Sequence, residues 1–194
     1  AFIIFAIPLT EILHDLIENF RMEARRRMSE GDELDMVMAT EIKELVKKHQ
    51  ALIKYVKDVD DLLENVMTLE FATCSIQMAS AVFQLIVRDM DIQQLSNITV
   101  ITAGITQLLF FYWPANEIRL KSMEISNAVW NSEWFKCNPK IRKDLQFIMM
   151  RAQRPIVLHV RPFYIMSTET ALMIIRTVYS VVAVSRQAHA RNKE

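Results

Sequence analysis

Residues 66–115 read VMTLEFATCSIQMASAVFQLIV (66–87), RDMDIQQ (88–94) and LSNITVITAGITQLLFFYWPA (95–115). The first run holds a single charge, Glu70, near its start, and the last holds none. A helix needs about 20 apolar residues to cross the hydrocarbon core of a bilayer. Two runs of that length, separated by a short polar stretch, predict a pair of transmembrane helices. The alternative is a soluble bundle whose core helices are unusually apolar; the lengths of the two runs disfavour it. The cluster Phe110-Phe111-Tyr112-Trp113 near the end of the second run suits a membrane–water interface.

Outward from this pair the chain alternates between charged and apolar segments. Its 194 residues contain only 2 Gly and 5 Pro, against 12 Met. So few turn residues argue against many short strands and favour long helices, hence an all-α fold. Residues 1–20 begin apolar and become amphipathic, with Leu13, Leu16, Ile17 and Phe20 at helical spacing. The start has neither Met nor a charged leader; it resembles the end of a membrane helix, and the chain is expected to be the C-terminal part of a longer protein. A polar break is expected at Ser29-Glu30-Gly31-Asp32. Residues 33–64 predict a long amphipathic helix outside the membrane, with a stripe that includes Met38, Ile42, Leu45, His49, Leu52, Val56 and Val59. Pro139 opens a predicted helix over 140–154. Residues 156–186 predict a final span, with Ser167-Thr168-Glu169 as a helix cap inside it.

Basic residues are distributed unevenly. Segment 21–64 carries Arg21, Arg25, Arg26, Arg27 and several lysines; segment 116–154 is similar; loop 88–94 has only Arg88. The positive-inside rule puts both basic segments in the cytoplasm and the short loop outside. The C-terminus then lies outside, where Arg186, Arg191 and Lys193 are a mild violation.

Function classes narrow by elimination. The net charge is zero, so nucleic acid gains no general support as a partner. Gly31 and Gly104 cannot build a phosphate loop. The four His are scattered without ligand spacing, Cys74 and Cys137 form no zinc pattern, and no nucleophile motif is present. Neither a cofactor nor an enzymatic activity gains positive support. What remains is polar residues within spans. Thr99, Thr102 and Thr106 share one helix face, which serves either helix packing or the wall of a cavity for a mostly apolar ligand. Tyr179, Val182 and Ser185 share a flank of the last helix, either a packing stripe or a pore lining with an apolar constriction. Glu70 and Arg176 are ionisable groups in apolar helices, where such groups tend to face protein or water.

Several short motifs, in order, resemble the insect odorant receptor family. Lys48-His49-Gln50 with Ile53 and Asp58 looks like the linker between the family's fourth and fifth spans. The run from Gln107 to Trp113, then Asn116-Glu117 and Ser122, is similar to the end of the sixth span, although Trp113-Pro114-Ala115 replaces the usual Cys-Trp-Phe-Gly. Ala128-Val129-Trp130 and Trp134 match the family's next segment, and the stretch Met149 to Pro155 looks like the entry to its seventh span. Thr177-Val178-Tyr179-Ser180 resembles the seventh-span signature. The resemblance implies a subunit of an odorant-gated, non-selective cation channel in the plasma membrane. It would work in a heterotetramer with a shared co-receptor, and its ligand would be a small volatile apolar odorant. It casts Val182 and Ser185 as pore-constriction residues, with Ser185 where the co-receptor has Gln. Thr99, Thr102 and Thr106 become candidate ligand contacts. A gustatory receptor of the same architecture, and a truncated receptor that binds nothing, are the alternatives; Val178-Tyr179-Ser180 fits odorant receptors better.

Overall fold

The computed structural model describes residues 2–28, 33–87, 92–160 and 164–191, with backbone alone at 85–87, 92–94, 185, 186 and 188–191. The expected polar break at 29–32, the loop residues 88–91, Arg161 and the last three residues of the tail lie outside the described residues. The architecture is all-α: α1 (Phe2–Glu18), α2 (Phe20–Arg27), α3 (Leu34–Val87), α4 (Ile92–Asn131), a 3-10 turn (Trp134–Lys136), α5 (Pro139–Ala152) and α6 (Thr168–Arg191). The one exception among the described residues is a two-stranded antiparallel hairpin, β1 (His159–Val160) with β2 (Tyr164–Ile165), in which His159 faces Ile165 and Val160 faces Tyr164.

Three boundaries differ from the sequence reading; one is the end of the 95–115 span, where α4 continues through Pro114 to Asn131. Segments 33–64 and 66–87 are one continuous helix of 54 residues. Their difference in polarity marks a change of surroundings, and Leu34–Val87 contains neither Gly nor Pro to interrupt the helix. At 1.5 Å per residue α3 is about 80 Å long, well beyond the roughly 30 Å hydrocarbon core. The segment 156–186 is helical only from Thr168. After Pro155 the chain is extended, and its β-branched Ile156, Val157 and Val160 favour that state. Ser167 then caps α6, its Oγ accepting from Thr170 N at 3.2 Å.

The chain forms two compact units. The first comprises residues 1–61 and 117–158. Its helices bury stripes at alternating three- and four-residue spacing: Ile3, Ala6, Thr10, Leu13 and Ile17 on α1; Met38 to Val59 on α3; Ile118, Ser122, Ile125 and Val129 on α4; Ile141, Leu145, Ile148 and Ala152 on α5. This is the spacing that keeps one helix face on a shared core. Many outward positions are Lys, Arg and Glu, joined by Lys121–Glu11 at 2.6 Å, Arg21–Glu133 at 2.7 Å and Arg27–Glu41 at 2.8 Å, while Phe2, Phe5, Trp130 and Phe147 are apolar side chains exposed beside them. Ser122 Oγ accepts from Ile156 N at 3.0 Å and ties the extended segment back to α4.

The second unit comprises residues 62–116 and 159–194. Its outward positions are apolar: Leu69 and Ile76 are 70% exposed, and Leu95, Phe110, Trp113 and Val184 are also exposed. Leu34–Gln84 and Leu95–Asn131 are long and apolar enough to cross a membrane. An apolar exterior of this extent requires a lipid or protein surround, because water does not tolerate it. Among the described residues α3 and α4 pack closely at Gly104, where a Cβ would stand 3.3 Å from Met78 Cε. The N-terminus of α6 is fastened to α4 by Thr168 N donating to Asn116 Oδ1 at 3.4 Å.

Candidate functional site

Threonine spacing on α4 is the first feature to locate. Thr99, Thr102 and Thr106 stand exposed on one face, with Ile98, Ala103, Gln107 and Phe110 around a shallow groove. Each hydroxyl donates to the carbonyl four residues back, on Leu95, Ile98 and Thr102, at 2.9 Å. A threonine that has given its proton to the backbone offers only oxygen lone pairs outward. This face is therefore an apolar strip with acceptors, suited to a ligand that is apolar and carries at most a donor such as a hydroxyl.

The last helix has three distinct sides. Ile174, Thr177, Val178 and Val181 face α3 across a cavity of about 400 Å³ that Met78, Val82 and Phe83 help to line. A second side carries Glu169, Met173, Arg176 and Ser180 along an open groove. Tyr179 points away from both and is 75% exposed, while Val182 is half-buried. Ser185 lies within α6, where only its backbone is described. Arg176 thus shares a groove with Glu169 and Ser180 and with the apolar Leu172 and Met173; a charge in an apolar helix is costly unless it meets protein or water.

Polar chemistry outside the spans belongs to the first unit. His49 is buried in the stripe of α3, and burial, helped by nearby Arg151, pushes its pKa down to about 4. The buried Cys137 thiol is pushed up for the same desolvation reason. Glu133 accepts from Lys136 at 2.7 Å, which, with Arg21 beside it, holds its carboxyl below the usual range. Glu11 bonded to Lys121 raises that ammonium's pKa. Among the described residues no three His, Cys, Asp or Glu converge as a metal site.

One pairing was not visible from spacing. Gln107 on α4 donates to the Glu70 carboxylate on α3, 37 residues earlier. Glu70 was conspicuous as the only charge in its run, yet a partner on another helix leaves no local pattern. Tyr112, inside an aromatic cluster that suggests an interface, is buried instead.

The helices, the apolar exterior of the second unit and the near absence of strands define an all-α membrane protein. The fold matches that of the insect olfactory receptor OR5 from Machilis hrabei, with a TM-score of 0.78 at 15% identity over 96% of this chain and 45% of that one. The same receptor in complex with eugenol matches with a TM-score of 0.71 at 18% identity, over 97% and 45%. In sequence, residues 1–179 match the 7tm Odorant receptor family, and the chain belongs to that family. It is a receptor family, not an enzyme family. Odorant receptor Or2 of Anopheles gambiae is 32% identical over 149 residues, 77% of this chain and 39% of that protein. Odorant receptor 10 of Aedes albopictus is 29% identical over 75% of this chain and 39% of its own length. The chain thus spans about half the length of the curated relatives it matches.

Proposed function

We propose that this chain supplies the later spans of an odorant-gated, non-selective cation channel that works with a co-receptor in a heterotetramer at the plasma membrane of olfactory neurons. The observation that carries this reading is family membership extending through residue 179, well into α6. That helix has 24 residues, about 36 Å, enough for one crossing. In this reading α1 ends the fourth span, the second half of α3 is the fifth, the first half of α4 is the sixth and α6 is the seventh. Val182 forms the apolar constriction, with Tyr179 and Ser185 on the same flank. Thr99, Thr102 and Thr106 line part of the odorant cavity. A relative in complex with the small phenol eugenol supports a compact, mostly apolar ligand, and a phenol hydroxyl suits a wall of acceptors. Odorant binding opens the channel only to the extent that the ligand prefers the open state.

The test is expression of the receptor containing this segment, together with co-receptor, in oocytes. Val182→Ala should widen the constriction and raise basal current or alter the permeability ratio among cations. Unchanged values for both would remove Val182 from the pore. Thr102→Val, which keeps shape and removes the hydroxyl, should raise the half-maximal odorant concentration several-fold for ligands with a hydroxyl and leave purely hydrocarbon ligands unaffected.

A further inference from the structure

Within the second unit, Tyr112 is a defect by ordinary rules. Its side chain is only 5% exposed, and its hydroxyl has no hydrogen-bond partner in the protein. Buried hydroxyls are almost always bonded, and an orphan signals a missing water or ligand. Tyr112 lines a pocket of about 40 Å³ whose other polar members are Glu70 and Gln107, already bonded to each other. Met67, Phe71, Val160 and Met166 make the rest of the wall apolar. One water needs roughly 10–15 Å³ by this measure, so about three fit. The polar requirement for internal water is also met. The carboxylate has lone pairs beyond the one Gln107 uses, Gln107 keeps its own carbonyl oxygen, and Tyr112 has a proton to give.

We propose that this pocket is an internal water site joining α3 to α4. The Tyr112 hydroxyl donates to a water oxygen, and that water donates to the Glu70 carboxylate and to the Gln107 carbonyl. Small size excludes any organic ligand. Apart from these three groups and the Cys74 thiol, the lining is apolar. The junction thus turns an isolated Glu70–Gln107 pair into a clasp with a second attachment on α4, one helical turn and more beyond the first. It stands on unit-two geometry alone and does not require the channel reading.

The experiment uses the receptor containing this segment, reconstituted in lipid nanodiscs, with the folded fraction followed through thermal unfolding. The sign of Tyr112→Phe is decisive. If the pocket is dry, removing an orphaned hydroxyl leaves the receptor equally stable or more stable. If water bridges it, Tyr112→Phe lowers the folded-to-unfolded ratio about fivefold, the usual size of one hydrogen bond. Glu70→Leu, which removes every acceptor at this position, tests the other end. With a water bridge, the double variant loses less than the product of the two single effects, because breaking either end already breaks the link. Cys74→Leu, which fills the same pocket, should destabilise the natural receptor and have no such effect on the Tyr112→Phe background. A neutral or stabilising Tyr112→Phe, or strictly multiplicative effects with Glu70→Leu, overturns the proposal.

Discussion

Glu133 sits at φ 55, the only non-glycine residue at positive φ among the described residues. Left-handed backbone is strained for a residue with a Cβ, and glycine relieves it. Glu133 keeps the position because its carboxylate accepts from Arg21 and Lys136, each at 2.7 Å. Both Glu133→Ala and Glu133→Gly delete these contacts, but only glycine removes the strain. The glycine variant should therefore be about 1 kcal/mol more stable than the alanine one in a chemical denaturation series. Equal stabilities would mean the turn relaxes without strain. His49 gives a pH signature. Its folded pKa of about 4 lies below histidine's ordinary 6.5, so between these values the unfolded chain binds a proton that the folded one does not. Stability is complete above about pH 6.5 and falls as pH drops toward 4, by on the order of 3 kcal/mol at most. His49→Leu should flatten this slope; an unchanged slope would assign it to other groups. The position of His49 in an apolar stripe was legible from spacing, whereas the depth of its burial depends on α5, far away in sequence.

At the scale of elements, periodicity identified helices well and their ends poorly. The stripe from Met38 to Val59 is visible in the sequence because heptad-like spacing is local. The junction at Glu64-Asn65-Val66 is not a boundary, because polarity changes there without any backbone breaker. Asn65→Pro tests this. Two helices meeting at residue 65 would tolerate proline, while a continuous helix loses about 3 kcal/mol or more. The expected readout is a large drop in folded receptor on size-exclusion chromatography, with Asn65→Ala as a neutral control. The strand pair His159–Val160 and Tyr164–Ile165 escaped because its apolar residues suit a span as well as a strand, and only the cap at Ser167 marks where α6 begins. Removing that cap in Ser167→Ala should cost roughly 1 kcal/mol, measured as a lower unfolding midpoint. Of the candidate site, the threonine face was legible, since three residues at i, i+3 and i+7 must share a side. That their hydroxyls are turned back on the backbone was not, because a helical Thr chooses its rotamer from its surroundings.

Across the whole molecule, charged side chains concentrate in the first unit, whose surface is mixed, while the second exposes mainly apolar ones. This division follows from composition: segments 21–64 and 116–154 hold most of the basic residues, and the 66–115 stretch holds almost no charge. Membrane character was therefore readable, while the Glu70–Gln107 link and the orphaned Tyr112 required the helices to be brought together. Orientation rests on the same asymmetry. Arg and Lys next to spans stay on the cytoplasmic side, so the basic segments 21–64 and 116–154 should lie in the cytoplasm and loop 88–94 outside. A flexible insertion of about 20 residues carrying an Asn-X-Thr acceptor, placed between Arg88 and Gln94, should gain a glycan in microsomes. The same insertion between Glu133 and Cys137 should stay unmodified. Asn97-Ile98-Thr99 is a natural acceptor pattern that should also stay bare, because Asn97 is buried within α4 at 7% exposure. Glycan addition at 133–137 with none at 88–94 would invert the orientation. The C-terminus of α6, and with it the flank of Val182, would then open to the cytoplasm.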